Sequence, residues 1–363
     1  MRKWLTQRQS SGDKSINFQA GGGIHLGIGY RDAKDIARET AMEVFEKNFT
    51  RLANEAWRTA QLRAGEFTDH FIEGIYGWDD PPLGQLNDPG IQSALFSAQS
   101  GYAKSGDPEL GDVLIELLSE RLKYSQQRST AQLAISKAVE LAESLSGPHL
   151  ALLSCNLLMK QITPAQVSSV NEVASAIAGM LRPFTDGIAS IMPSDLDYLA
   201  GLGCLIPTMG TLTLGKYTGM NLPGLFNRGF TNKEMIDAHL LIGTPIAKLK
   251  EPDEYRYSVN AITRVDLLNL LEVHGMQDLE ETAMRALMGP VLTEHEIEKI
   301  LSAESAELAN SLDLCNALGI PGYLNTAIGS AIGHANMRRA VPEFDLPFES
   351  LLKEIPRVRP RFA

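Results

Sequence analysis

The sequence is poor in cysteine: Cys155, Cys204 and Cys315 are the only ones among 363 residues. Their number is odd, they lie far apart, and none belongs to a CxxC pair. This spacing excludes a disulfide framework and a zinc site made of thiolates. Unpaired cysteines are typical of a reducing compartment, so the sequence predicts a cytoplasmic protein.

Long apolar runs and an excess of positive charge are missing as well. No stretch reaches the roughly 20 apolar residues that a membrane span needs, and no apolar run follows the basic residues at the start, so no signal peptide is expected. The formal net charge of −11 disfavours general binding to nucleic acid or anionic lipid. Two basic segments, residues 1–8 and 353–363, are local exceptions. We interpret both as solvated, with a membrane or partner contact as the alternative.

A phosphate-binding motif is present only in part. Residues 210–217 read GTLTLGKY and match such a loop as far as Lys216. Tyr217 stands where a Ser or Thr hydroxyl would bind magnesium. Gly219 and Pro223 are expected to block the helix that should follow the loop. The stretch therefore predicts a turn-rich connector that binds no nucleotide.

The dipeptide His295-Glu296 is a second incomplete motif. A metalloprotease needs another histidine four residues after the first, and Lys299 occupies that position. The same residues fit a helix start better, with Thr293 as the N-cap and Glu296 completing a capping box. We predict no metal and no cofactor. An enzyme of unrecognised class stays an alternative, although no catalytic motif is complete.

Two short segments of alternating polarity are present near the start of the chain. SINFQA at 15–20 and GIHLGI at 23–28 have the period of two that is typical of strands. Glycines between them permit a tight reversal. Such a hairpin is marginal alone, so we predict that it assembles with other copies; folding back onto its own chain is the alternative. The predicted oligomerisation residues are Ile16, Asn17, Phe18, Gln19, Ile24, Leu26 and Ile28.

The rest of the chain has the periodicity of helices. Apolar residues recur every three or four positions from Asp32 to Ile75, which predicts one amphipathic helix about 65 Å long. Asp107-Pro108 marks another helix start, and Pro183 is expected to kink a later helix. Residues 193–230 are rich in Gly, Pro, Thr and Leu and predict an irregular, largely buried connector.

These patterns predict a mainly α, multihelical fold with a short N-terminal β-hairpin or strand element. We divide it into a β assembly element at 1–30, a helical module with one long helix at 31–148, and a helical domain at 149–363 around the segment 193–230. The candidate functional residues of that segment are Asp195, Tyr198, Cys204 and Lys216. Simpler interpretations are a buried thiol for Cys204 and a helix start at Ser194 for Asp195.

Three blocks of the sequence resemble an uncharacterised bacterial protein family. They are GDKSINFQAGGGI with the helical stretch that follows, the segment from DLDYLAGLGC to LPGLFNRGF, and LNTAIGSAIGHAN at 324–336. Arg31 departs from the pattern, because a serine helix cap is expected there. The resemblance implies a component of bacterial defence against phage, with no family chemistry attached to it.

Together, the assembly element and the resemblance lead to one functional expectation. The protein is expected to act in antiphage defence as a homo-oligomer that recognises a ligand or a protein partner encoded nearby, without nucleic acid. A membrane-perturbing effector is the alternative from another class, since the basic residues 1–8 and the Gly-rich segment could act after a rearrangement.

Overall fold

A computed structural model describes residues 30–48, 54–78, 82–124 and 128–352. The described residues are mainly α-helical, which confirms the predicted fold class. The predicted oligomerisation residues, from Ile16 to Ile28, lie outside this part of the chain, as does the basic segment 353–363.

Seventeen α-helices are found in the described part of the chain. They are α1 Tyr30–Asn48, α2 Asn54–Tyr76, α3 Pro89–Ser105, α4 Pro108–Lys123, α5 Thr130–Ala142, α6 Gly147–Gln161, α7 Val170–Leu181, α8 Thr185–Ala189, α9 Pro193–Gly201, α10 Leu214–Asn221, α11 Pro223–Phe226, α12 Arg264–His274, α13 Glu280–Leu287, α14 Glu294–Glu304, α15 Ala306–Ala317, α16 Ala327–Ala340 and α17 Phe348–Leu352.

Four short strands, forming two antiparallel pairs, are found between residues 205 and 325 of the described chain. Strand β1 (Leu205–Pro207) pairs with β4 (Tyr323–Asn325), so that Ile206 lies opposite Leu324. Strand β2 (Ala247–Glu251) pairs with β3 (Arg256–Val259) in a hairpin. The first pair joins segments more than 100 residues apart and therefore closes the fold.

The single long helix predicted from Asp32 to Ile75 is wrong. Helices α1 and α2 pack side by side in opposite directions: Arg38 Nε donates to Asp69 Oδ1 at 3.1 Å, and the rings of Phe45 and Trp57 stack at 5.8 Å. Hydrophobic periodicity reports which face of a helix is buried, but it does not report a reversal of the chain. Two helices whose apolar faces meet show the same spacing of apolar residues along the sequence as one continuous helix does.

Helix starts that depend on local chemistry are confirmed. The Asp107 side chain accepts a hydrogen bond from the backbone of Glu109 at 3.0 Å, and Pro108 is the first helical residue. Thr293 and Glu296 form the predicted capping box. Near Pro183, α7 ends and a single turn of 3₁₀ helix leads into α8, so the predicted kink is a break.

The segment 193–230 is more regular than predicted. It contains α9, β1, α10 and α11, and the expectation that Gly219 and Pro223 block a helix is wrong. Gly219 lies inside α10, where an added Cβ would come within 2.7 Å of Ile297 Cδ1. Pro223 is the first residue of α11, a position that needs no N–H donor. Tertiary packing therefore overrides the helix-breaking tendency of both residues.

Helix α6 is the centre of the main hydrophobic core. Every residue from Leu150 to Lys160 is buried, as expected for a helix surrounded by other elements. Helix α16 lies against it at very close range, since a Cβ on Gly333 would come within 2.7 Å of the Leu153 carbonyl oxygen. The main core includes residues from Ala41 to Phe348. Residues on both sides of position 148 thus contribute to this core. The predicted division into domains stays a prediction.

A second, smaller core lies in residues 227–290, which we call the lobe. Its buried residues run from Phe230 to Leu287 and include Leu267 and Leu271. The chain enters and leaves the lobe at one place, because Asn227 and Val291 form an antiparallel bridge.

Candidate functional site

A groove of about 960 Å³ lies among the described residues. One wall is α7, and the facing wall is the segment 340–350, which we call the strap. The floor comes from residues 161–165 and from Tyr217 of α10. Ligand sites in proteins have volumes of roughly 300–1,000 Å³, so the groove lies at the upper end of that range.

The wall formed by α7 consists largely of small residues. Ser175, Ala176 and Gly179 share one face of the helix at spacings of three and four, and all three line the groove. Gly179 has open space in front of it, with no atom within 4 Å of where a Cβ would lie. A chain that enters the groove can therefore approach the α7 backbone closely.

The strap is held against α16 by a buried histidine. His334 is 2% exposed, and its Nε2 donates to the Leu346 carbonyl at 2.7 Å, which places the proton of the neutral ring on Nε2. The rings of Phe344 and Phe348 lie 5.5 and 5.6 Å from the imidazole. Burial lowers the pKa of His334 and keeps this ring neutral.

An arginine on α16 also fixes the strap. Arg338 Nε donates to Glu116 Oε2 of α4 at 3.2 Å, and Arg338 Nη1 donates to Asp345 Oδ1 of the strap at 3.3 Å. The facing wall of the groove is thus attached to the main core by aromatic packing and by an ion pair.

A buried tyrosine hydroxyl forms the polar point of the floor. Tyr217 is 7% exposed, and Thr163 Oγ1 donates to its hydroxyl oxygen at 3.3 Å. Burial raises the pKa of Tyr217, so the hydroxyl stays protonated. In this arrangement the phenolic proton is available as a donor to a ligand in the groove. Ile162 and Val341 supply buried apolar surface next to it.

Behind the floor lies a buried lysine that the sequence analysis missed. Lys160 is 0% exposed; its Nζ donates to the Ile320 carbonyl at 2.7 Å and also to the Tyr323 carbonyl. Burial lowers the pKa of Lys160 to about 7. The available signal was a lysine at the end of the apolar run LALLSCNLLMK, where a fully surrounded helix leaves no route to solvent.

Amides and hydroxyls connect α6 to α16 and β4 in the same region. Asn156 Nδ2 donates to Asn325 Oδ1 at 2.7 Å, and Asn325 Nδ2 donates to the Leu153 carbonyl at 2.9 Å. Asn336 Nδ2 donates to Ser154 Oγ at 2.8 Å. These bonds fix the register of the helices that support the groove floor.

Asp195 and Tyr198, two of the predicted functional residues, meet around His149 outside the groove. Asp195 accepts from the backbone of Met192 at 2.8 Å and lies 3.4 Å from His149 Nε2, while Tyr198 stacks on the imidazole at 5.3 Å. The hydrogen bond from Met192 is the main reason that the pKa of Asp195 is lowered. His149 Nδ1 accepts from the backbone of Ser146 at 3.2 Å, so both ring nitrogens are engaged.

The helix cap in this region differs from the prediction. The N-cap of α9 is Met192 and not Ser194, because Pro193 takes the first helical position. Asp195 still contributes to the cap of α9, because its carboxylate accepts the hydrogen bond from the Met192 amide. The cluster around His149 therefore attaches α9 to the start of α6.

Cys204 is buried, as its simpler interpretation predicts. Its carbonyl accepts from the backbone of Thr326 at 3.0 Å, and burial raises the pKa of its thiol to about 11. A protonated, enclosed thiol is a poor nucleophile. Cys204 thus supports the contact between the end of α9 and the start of α16.

Lys216 lies at the start of α10, where acidic side chains take the place of a phosphate. The Gly215 amide donates to Glu298 Oε1 at 3.2 Å, and Thr213 Oγ1 donates to Glu294 Oε2 at 3.3 Å. A phosphate would meet these carboxylates at the helix N-terminus. Groups that would bind phosphate in a nucleotide loop are therefore already bonded to carboxylates of the same chain. A helix, α10, does follow the loop.

Two other kinds of feature are absent from the described residues. None of the helices in that part of the chain is long and apolar enough to cross a membrane. Within the same residues, no cluster of three or more His, Cys, Asp or Glu side chains is arranged to hold a metal ion.

The chain belongs to an uncharacterised protein family whose model matches residues 27–349. The match includes α7, α10, the whole lobe and all of the strap except Ser350. Neither the curated proteins nor the solved structures contain a significant match to the chain. Membership of an uncharacterised family, which the sequence predicts, is thereby confirmed.

Proposed function

We propose that this protein is a recognition component that binds an extended peptide segment of a protein partner in the groove between α7 and the strap. The observation that carries the proposal is the buried Tyr217 hydroxyl on the floor of a groove of about 960 Å³. A buried donor next to apolar surface favours a ligand that offers an acceptor and apolar groups together.

A peptide meets both requirements. It carries a carbonyl acceptor at every residue, so one of them can accept from Tyr217, and its side chains can contact the buried surface of Ile162 and Val341. The small residues of α7 admit the backbone of such a segment at close range. The strap, fixed through His334 and Arg338, provides a preformed second wall, which lowers the entropic cost of binding.

The biological setting is proposed from the resemblance to a bacterial family. We place the protein in antiphage defence, acting as a homo-oligomer through residues 16–28 together with a partner encoded nearby. The resemblance supports this setting by association only. The groove supports recognition of a partner independently of it.

A substitution that fills the groove tests the proposal. Gly179→Trp adds a large side chain where a Cβ meets no atom within 4 Å, so we expect a folded protein with an obstructed groove. Co-purification with the product of the adjacent gene should fall at least tenfold. In a bacterial host that carries both genes, a plaque assay should show the loss of phage protection.

The matched control is Gly201→Trp. Gly201 ends α9, lies outside the groove and also has open space at its Cβ position. This variant should keep both the partner and the protection. If Gly179→Trp folds with an unchanged melting temperature and still binds the partner as the wild type does, the groove is not the recognition site.

A further inference from the structure

We propose that the basic segment 353–363 of the same chain occupies the groove and competes there with the partner. This regulation presupposes the proposed function, because it concerns the same site. The segment directly follows α17, and Ser350 of that helix already lines the groove. Eleven extended residues reach about 36–40 Å, more than the roughly 30 Å diameter of a small domain, so every part of the groove is within range.

The charges of the segment and of the groove are complementary. Two exposed carboxylates of the strap, Glu343 and Asp345, line the groove, and the one lining arginine, Arg182, is paired with Glu307 at 3.2 Å. Asp345 contacts Arg338 but keeps a side chain that is 93% exposed. Against these carboxylates the segment carries four basic residues and one acidic residue, namely Lys353, Arg357, Arg359, Arg361 and Glu354.

The apolar residues of the segment match the interior of the groove. Ile355, Val358 and Phe362 recur at spacings of three and four, and the groove presents buried Ile162 and Val341 to such side chains. Pro356 and Pro360 restrict the backbone before binding, so less conformational entropy is lost when the segment is held in an extended form. Backbone carbonyls of the segment can accept from the Tyr217 hydroxyl.

Covalent attachment makes even a weak contact effective. A short flexible link gives an effective concentration on the order of millimolar. A segment that would bind only in the range of about 0.1 mM as a free peptide is therefore mostly bound when it belongs to the same chain. The partner must displace it, so the segment sets a threshold for recognition.

Cross-linking in the full-length protein tests this contact. We would place one cysteine in the groove by Gly179→Cys and a second in the segment by Val358→Cys. The three native cysteines are buried and do not compete. Disulfide formation under mild oxidant should be at least tenfold faster than in the control, which combines Gly201→Cys with Val358→Cys. Adding Arg357→Glu, Arg359→Glu and Arg361→Glu should reduce the rate to that of the control.

Isotope labelling distinguishes contacts within a chain from contacts between chains. In a mixture of labelled and unlabelled protein, peptide mass spectrometry should find the cross-link within single chains. Equal rates in the groove pair and the control pair would overturn the proposal. So would cross-links that join labelled to unlabelled chains in the statistical ratio, because a second copy would then occupy the groove.

The cross-linking experiment and the partner assay test the two proposals separately. If the cross-link forms but Gly179→Trp leaves partner binding unchanged, the contact of segment 353–363 is established and the proposed recognition of a partner is wrong. If Gly179→Trp blocks the partner but no cross-link forms above the control rate, recognition stands and regulation by this segment is wrong.

Discussion

Lys160 shows how one residue can depend on the whole fold. It ends an apolar stretch of α6, and its ammonium group reaches backbone carbonyls of Ile320 and Tyr323 without any exposure to solvent. Burying a charged amine is costly, and carbonyl acceptors recover part of that cost. Ile320 lies in the link between α15 and β4, and Tyr323 is the first residue of β4, so the lysine also fixes the end of that link.

The lowered pKa of Lys160 predicts a pH-dependent stability. The unfolded chain holds this proton up to a pH of about 10, whereas the folded chain releases it above about pH 7. Unfolding between these values takes up a proton, so the free energy of unfolding should rise with pH. Because the carbonyl acceptors favour the charged form, we expect a rise of about 1–3 kcal/mol, which is less than burial alone would give.

Urea titrations at pH 7 and pH 9.5 measure this effect in wild type, in Lys160→Met and in Lys137→Met. The difference between the two pH values should be smaller in Lys160→Met than in wild type. Lys137→Met removes a lysine with a half-exposed side chain and should follow wild type. Identical pH profiles for wild type and Lys160→Met would show that Lys160 stays charged in the folded protein.

At the scale of elements, the contact between α6 and α16 depends on glycine. Gly333 has no Cβ where the Leu153 carbonyl oxygen would lie 2.7 Å away, and Gly329 faces the carbonyl of Cys204 in the same way. Backbone atoms cannot move aside as a flexible side chain can. The two helices therefore approach as closely as their backbones allow, and Asn336 and Ser154 then hydrogen-bond across the contact.

A single methyl group should disturb this contact. Gly333→Ala is expected to lower the free energy of unfolding by about 1–3 kcal/mol, because it overpacks a core with no free space. In Gly179→Ala, where the Cβ is unobstructed, the higher helix propensity of alanine should raise stability by about 0.5–1 kcal/mol. Denaturant unfolding of both variants at one pH measures these changes in the free energy of unfolding. A neutral or stabilising effect of Gly333→Ala would mean that α6 and α16 lie further apart.

Local chemistry explains which elements could be predicted from the sequence. The caps at Asp107 and Thr293 were predictable because each involves side chains within three residues of the backbone groups that they satisfy. Helix α10 was missed because the contact of Gly219 with Ile297 joins residues 78 positions apart. The antiparallel arrangement of α1 and α2 was missed because a period of three to four carries no information about direction.

At the scale of the molecule, the separation of the lobe core from the main core predicts two levels of stability. Leu271→Ala removes a buried side chain of the lobe and should cost about 2–5 kcal/mol there. Hydrogen exchange followed by mass spectrometry should then speed up in residues 230–287 and stay unchanged in α6 and α16. Leu152→Ala, in the main core, is the control and should speed up exchange in α6 and α16. Equal acceleration everywhere in Leu271→Ala would mean that the lobe unfolds only with the rest.

The groove itself could not be found from the sequence. Its floor and walls come from residues 161–183 and 340–350, and the Tyr217 hydroxyl of the floor comes from a third segment. In the sequence, Tyr217 appeared only as the residue that spoils a nucleotide motif. Of the four residues singled out beforehand, Asp195 and Tyr198 meet at His149, while Cys204 and Lys216 lie elsewhere, because pattern alone does not state which segments the fold brings together.

The bridge between Asn227 and Val291 has a consequence for how such proteins diversify. A segment whose two ends lie side by side can be lengthened, shortened or exchanged at little cost in loop-closure entropy, and the body that carries it keeps its geometry. Residues 227–290 can therefore be inserted, removed or exchanged as one unit. A change in the length or sequence of the lobe is therefore expected to leave the geometry of the groove unchanged.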